Sequence, residues 1–281
     1  MIPVYKQSAE NNLRSLGCAD VSKVHLPWDS RFSPSSLLQH LEQYPDLAFW
    51  NAATGEYVVG GYWRARRDIG LVVESSKGQS QASLIERLAC QLKEESFRAL
   101  VLSQDEAESG SGWYLRRGWR TFDRLLAYRL SAPRFGTDGD PGLVFAPFQI
   151  QDLAALTDLD REAFPWLWWN EPSDFLSYAS SPQVAAFLAR QGDRLLGYVS
   201  YSTRNGRGHL DRLAARPSLW RKGLGSRLLA FSLKRMWQAG VREVGLTTQE
   251  TSLAAQELYT RFGFVRTGEV HEVLGLELSG R

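Results

Sequence analysis

The feature that most constrains this chain of 281 residues is an internal repeat. In the second half, Tyr259 of LYTRFGF lies thirty-seven residues after Lys222, which precedes Gly223. In the first half, Tyr114 of WYLRRGW lies at the same distance from Lys77, which precedes Gly78. Two apolar segments around a turn come before each of these stretches. Leu47–Asn51, a turn at Thr54 and Gly55, and Tyr57–Arg64 form the first pair. Val184–Arg190, a turn at Gly192 and Asp193, and Arg194–Tyr201 form the second. Their β-branched and aromatic content, with turn residues between, predicts antiparallel hairpins. A constant offset across several elements predicts two tandem units of one architecture. Ala132–Gly142, rich in Gly, Pro and Asp, reads as a linker. The expected division is 1–131, a linker at 132–144, and 145–281.

The second unit has the sharper pattern. It predicts a helix over Asp152–Phe164, an aromatic loop PWLWWNEP, a short helix over Ser173–Tyr178, and then the hairpin. A strand at His209–Ala215 leads into a glycine loop and a helix over Gly225–Ala239. That helix carries Leu228, Leu229, Ser232, Leu233 and Met236 on one face, with Gly240 as its stop. A strand at Val241–Thr247, a helix over Leu253–Phe262 behind the cap residues Thr251 and Ser252, and a strand at Glu269–Leu278 complete it. The order predicts an α/β (α+β) class. Each unit should be a mostly antiparallel mixed sheet with helices on both faces.

Composition excludes several functions. The chain has 33 basic against 31 acidic residues, a net charge of +2, so it shows no footprint for nucleic acid or a membrane surface. Its apolar runs are far shorter than a bilayer span, and MIPVYKQSAENNLR lacks a signal-peptide hydrophobic region. Two cysteines, Cys18 and Cys90, are too few for a disulfide framework and lack metal-ligand company. The expectation is a cytoplasmic protein with free thiols, no metal, no nucleic-acid partner and no membrane association. A homodimer stays open.

Arg216–Phe264 carries the chemistry. Gly223 and Gly225 let the backbone approach a ligand without a Cβ in the way. Several N–H groups at a helix start point the same way and the helix dipole adds positive charge, which suits a pyrophosphate. A Walker-type loop is absent from the sequence, and the third glycine and acidic residue of a dinucleotide fingerprint are missing.

These residues resemble the acetyl-CoA-binding core of the Gcn5-related N-acetyltransferases (GNAT). That family's closing pattern A-x-x-L-Y-x-x-x-G-F stands here as Ala255, Leu258, Tyr259, Gly263 and Phe264. The glycine pair with Leu228 and Leu229 also fits. Trp220 departs from the family's Gln/Arg, which puts the local loop contacts in question. The resemblance implies acetyl-CoA as acyl donor and direct attack by the primary amine of a small molecule or peptide. It makes Tyr259 the general acid for the departing thiolate; packing on the sheet is the rival role. It assigns Leu213, Ala214 and Ala215 to the pantetheine arm. Gly223, Leu224, Gly225 and Ser226 fall to the phosphates, with Arg221 and Lys222 as charge-assisted contacts. Ser252 stands where the family often has asparagine.

His209 and Asp211, two apart on a strand, share a face, with Leu213 continuing it and Leu210, Arg212 and Ala214 on the other. His209 is a candidate general base or a hydrogen-bonded strand histidine. Asp211 attracts a substrate ammonium or pairs with Arg212 or Arg204. Trp166, Trp168 and Trp169 either line the acceptor pocket or pack. In the first unit Ser80 replaces the second glycine, so a role in packing or pocket shape is expected there. Two other functions stay open. One is an acyl-CoA sensor without turnover. The other is an acyltransferase with a longer acyl group or a thiol-biosynthesis acceptor.

Overall fold

A computed structural model describes residues 12–105, 110–132 and 142–278; the expected linker falls largely outside them. The chain forms two compact units. The first holds the chain up to Gln104, Gly110–Phe122 and the tail from Val273; the second holds Asp105 and Asp123–Glu272. This differs from the division read from the sequence, because two strands change unit along their length.

The first unit contains β1 (Leu13–Ser15), α1 (Pro34–Gln43), β2 (Ala48–Asn51), β3 (Tyr57–Tyr62), β4 (Ile69–Ser75), α2 (Gln81–Glu94), β5 (Ala99–Asp105) and α3 (Ser111–Leu115). β6 (Arg120–Leu130) starts there and passes into the second unit at Asp123. The second unit continues with β7 (Val144–Pro147), α4 (Leu153–Ala163), α5 (Pro172–Ser180), β8 (Val184–Gln191), β9 (Arg194–Arg204) and β10 (Arg207–Ala215). Then come α6 (Leu224–Gln238), β11 (Glu243–Gln249), α7 (Leu253–Arg261) and β12 (Val265–Glu277). β12 returns to the first unit from Val273.

Strand order in the first unit is β1-β2-β3-β4-β5-β12, and in the second β12-β6-β11-β10-β9-β8-β7. Both predicted hairpins form, as β2·β3 and β8·β9. The pairs β4·β5 and β10·β11 are parallel, and the rest with a defined register are antiparallel. The class is therefore mixed α/β with mostly antiparallel sheets.

In the second unit, α6 and α7 cover one sheet face. The α6 residues Leu228, Leu229, Ser232, Leu233 and Met236 are fully buried there, each apolar one contributing roughly 2 kcal/mol. The helix stops at Gly240, whose φ of 87° is left-handed. There Gly240 N–H donates to the Trp237 carbonyl and Val241 N–H to that of Met236, satisfying two end carbonyls at once. α4 and α5 cover part of the other face through Leu156, Leu159 and Phe175.

Candidate active site

α6 begins at Gly223, whose φ of 84° is left-handed and suits glycine. No side chain caps this end and the first turn carries no acid. The first bond back along the helix runs from Arg227 N–H to the Gly223 carbonyl at 3.1 Å. The N–H groups of Leu224, Gly225 and Ser226 therefore precede the helical ladder, as an anion cradle requires. Gly225 also sits where α6 meets α7. A Cβ there would lie 3.4 Å from Leu258 Cδ2 and 3.9 Å from Leu213 Cδ2, in ordinary contact with both.

Arg221 and Lys222 flank the cradle with protein partners: Arg221 pairs with Glu257 at 2.8 Å and Lys222 Nζ donates to the Ser218 carbonyl at 3.0 Å. Trp220 donates its indole N–H to the Ala215 carbonyl at 2.8 Å. It thereby ties the loop to the end of β10, and that carbonyl is already occupied.

β10 and β11 pair at Arg207↔Glu243, Gly208↔Val244 and His209↔Gly245. Beyond that point they have no shared register, so the β11-side edge of β10 over Leu213–Ala215 pairs with no strand, and its Ala215 carbonyl is taken by Trp220. A bulge between Leu210 and Arg212 corrects the strict alternation read from the sequence. Leu210 and Leu213 pack with the α6–α7 core, whereas Ala214 packs with α4 and α5 and Arg212 reaches Asp160 on α4. His209 and Asp211 do share a face, with His209 Nδ1 2.8 Å from Asp211 Oδ1 and Ser202 Oγ 3.0 Å from the same oxygen. A carboxylate only accepts, so in the neutral ring Nδ1 carries the hydrogen and Nε2 presents its lone pair. Neither Arg212 nor Arg204 pairs with Asp211. Arg212 is instead buried in a network with Asp160 (Nε to Oδ2 2.6 Å, Nη2 to Oδ1 2.9 Å), Tyr198 and the Trp168 carbonyl (2.5 Å).

That network pins the aromatic loop. Trp168 is buried and donates its indole N–H to Asp123 Oδ2 at 2.6 Å. Trp169 donates to the Phe164 carbonyl at 2.8 Å, and Trp166 is half-buried. The two arms of Trp168 thus reach β10 through Arg212 and β6 through Asp123. Between them, Thr247 of the central strand β11 is exposed on the α4–α5 face, as are His209 and Asp211. Exposure at the middle of a sheet whose same face carries helices marks an opening. Asp123, which the sequence reading missed, is half-buried, and burial raises its carboxyl above the ordinary range. Among the described residues no cation pairs with it; Arg124, its neighbour, turns to Glu250 at 3.0 Å. Nothing local marks it, since its place depends on β6 entering the second unit.

Tyr259 is buried among Tyr128 and Phe264, with ring centroids at 6.4 and 5.7 Å. Burial pushes its phenol well above the ordinary value, and its hydroxyl has no hydrogen-bond partner among the described residues. Ser252 holds the N-cap position of α7, but its side chain makes no cap bond. A large cavity in the first unit, lined by residues including Cys18, Val24, His25 and Leu38, contains none of the candidate site residues.

A left-handed glycine thus opens a helix beside a parted parallel strand pair, with a buried phenol on the following helix. Residues 153–264 match the family model described as the acetyltransferase (GNAT) family, so the second unit carries a GNAT domain. The chain also shares its fold with solved structures, one of them described as a tandem protein. A GCN5-related N-acetyltransferase from Sphaerobacter thermophilus aligns with a TM-score of 0.62 at 17% identity, covering 95% of this chain and 96% of that one. A tandem GNAT protein from the clavulanic acid biosynthesis pathway aligns with a TM-score of 0.62 at 11% identity, covering 96% and 99%. A GCN5-related N-acetyltransferase from Kribbella flavida gives 0.64 at 11% identity, over 94% and 70%. No curated protein matches the chain. Among the described residues no helix is long and apolar enough to cross a membrane.

Proposed function

We propose that the chain is an N-acetyltransferase that moves the acetyl group of acetyl-CoA to a primary amine by direct attack. The observation that carries this is the uncapped start of α6 beside the parted β10 and β11. In this reading the N–H groups of Leu224, Gly225 and Ser226 hold the diphosphate, and the edge of Leu213–Ala215 that β11 leaves unpaired, apart from the Ala215 carbonyl held by Trp220, holds the pantetheine arm. The thioester then faces the opening around Thr247, where Asp211 and Asp123 attract the acceptor's ammonium.

The neutral amine attacks the thioester carbonyl, forming the C–N bond. His209 Nε2, oriented by Asp211, takes the amine's surplus proton directly or through a water. The C–S bond breaks and Tyr259 gives its proton to the sulfur, later regaining one from solvent. Burial weakens the phenol as an acid, yet the same apolar surroundings raise the basicity of a departing thiolate, so donor and acceptor stay matched. Holding amine and thioester together supplies much of the acceleration.

The test is calorimetry with acetyl-CoA, and with a longer acyl-CoA, beside a CoA-release assay over a panel of amines. Wild type should bind and release CoA. Gly225→Glu should lose binding by at least about tenfold, because the new side chain sets bulk and a negative charge at the cradle, where it repels the diphosphate. Binding without release for any amine would point to a sensor, and no binding at all would end the proposal.

A further inference from the structure

The first unit contains counterparts of the donor loop and of Tyr259, and the loop is filled by the protein itself. α2 follows Lys77 and Gly78 as α6 follows Lys222 and Gly223. Gly78, however, does not take the left-handed turn that Gly223 takes. The Glu56 carboxylate, from the β2–β3 turn, lies at the start of α2. Its Oε2 accepts the Ser80 N–H at 2.7 Å. Its other oxygen lies against the bare α-carbon of Gly78, where a Cβ would collide with it. Ser80 is itself buried, and its hydroxyl accepts from Asn51 Nδ2 at 2.8 Å. Tyr114, the repeat partner of Tyr259, is buried, and burial raises its phenol, a rise that Ser75 and Gln81 oppose.

We infer that Glu56 is a built-in anion that occupies the first unit's donor loop and closes it to acyl-CoA, so that each chain binds one donor molecule. A carboxylate at a helix start satisfies the N–H groups and the dipole much as a phosphate oxygen does. Being tethered by a short turn, it has a large effective concentration over a free ligand. It also repels any diphosphate that approaches. The replacement of the second glycine by Ser80 fits a loop that no longer has to admit a ligand.

Two measurements test this. Acetyl-CoA calorimetry on wild type should give one site per chain; two sites would overturn the inference. The second uses Gly225→Glu as background, which silences the second unit, and inorganic pyrophosphate as probe. Glu56→Ala in that background should lose thermal stability without ligand and regain about 2 °C or more with millimolar pyrophosphate. The parent Gly225→Glu should not respond. An equal response from both proteins, or none from Glu56→Ala, would show that Glu56 is not what closes the loop. Glu56→Gln keeps an acceptor for Ser80 and guards against simple misfolding; it should respond more weakly than Glu56→Ala. Loss of acetyl-CoA binding by wild type bears on the second unit alone, while the pyrophosphate comparison reads the first.

Discussion

Replacing Tyr259 by Phe removes one oxygen from a side chain whose ring already sits among Tyr128 and Phe264. The packing should survive, so the substitution isolates the proton. We expect kcat for CoA release to fall by about 10²-fold or more, with the acetyl-CoA Kd from calorimetry within roughly twofold of wild type, as uniform binding is untouched. Wild-type kcat would leave Tyr259 a packing residue. The pH profile adds a second reading. Because burial raises the phenol well above its ordinary value, Tyr259 stays protonated through neutral and moderately alkaline pH. The wild-type kcat profile should therefore show no fall attributable to it below about pH 9.5. The stability sign agrees: a raised phenol favours the neutral form, so its contribution is intact below the unfolded value near 10 and is lost above it. An alkaline limb that vanishes in Tyr259→Phe would contradict this.

The strand β10 shows how the sequence can place residues correctly and still misassign a face. Its span, its two chemistry-bearing residues and their shared side were legible from the pattern around His209. The bulge at Asp211 was not, because alternation presumes an unbroken register and the extra residue is set by pairing with β9. Its consequence is that Arg212 turns to the α4 side and into the buried network with Asp160 and Tyr198. Both side chains of that ion pair are almost fully buried, and breaking such a pair by removing one partner is costly. Arg212→Met should destabilise the second unit by about 3–5 kcal/mol. It should also loosen the Trp168 loop, raising amine KM more than acetyl-CoA Kd. The double variant Asp160→Leu with Arg212→Met should recover much of the stability without recovering the loop. Urea unfolding and steady-state kinetics on the two proteins separate these effects; equal KM values would detach the loop from the network.

For the chain as a whole, the tandem organisation was readable because equal spacing repeats in both halves, and the division into units was not. A linker is marked by local composition, whereas the unit that a strand joins is decided by which sheet edge lies open to it. β12 illustrates this. Its sequence gives no sign that Val273 onward belongs to the first unit. Yet Leu274 and Leu278 are buried in that unit's core with Leu88, Leu92 and Leu100. Gly275 lies directly beneath the Phe122 ring, where any Cβ would collide. Leu278 N–H donates to the Arg98 carbonyl at 2.9 Å. Ending the chain after Glu272 would remove both leucines, at about 2–5 kcal/mol each by analogy with truncating them to alanine. Against a total domain stability of about 5–15 kcal/mol, that loss is enough to unfold the first unit. The second unit retains its cradle, its opening and Tyr259, all of which lie before Val273. The truncated chain should therefore lose amide protection across β2–β5 and α2 in hydrogen exchange. It should still bind acetyl-CoA within about tenfold of wild type, at the same stoichiometry, since the one donor site belongs to the second unit. Retained protection in the first unit would mean that its core closes without the last strand.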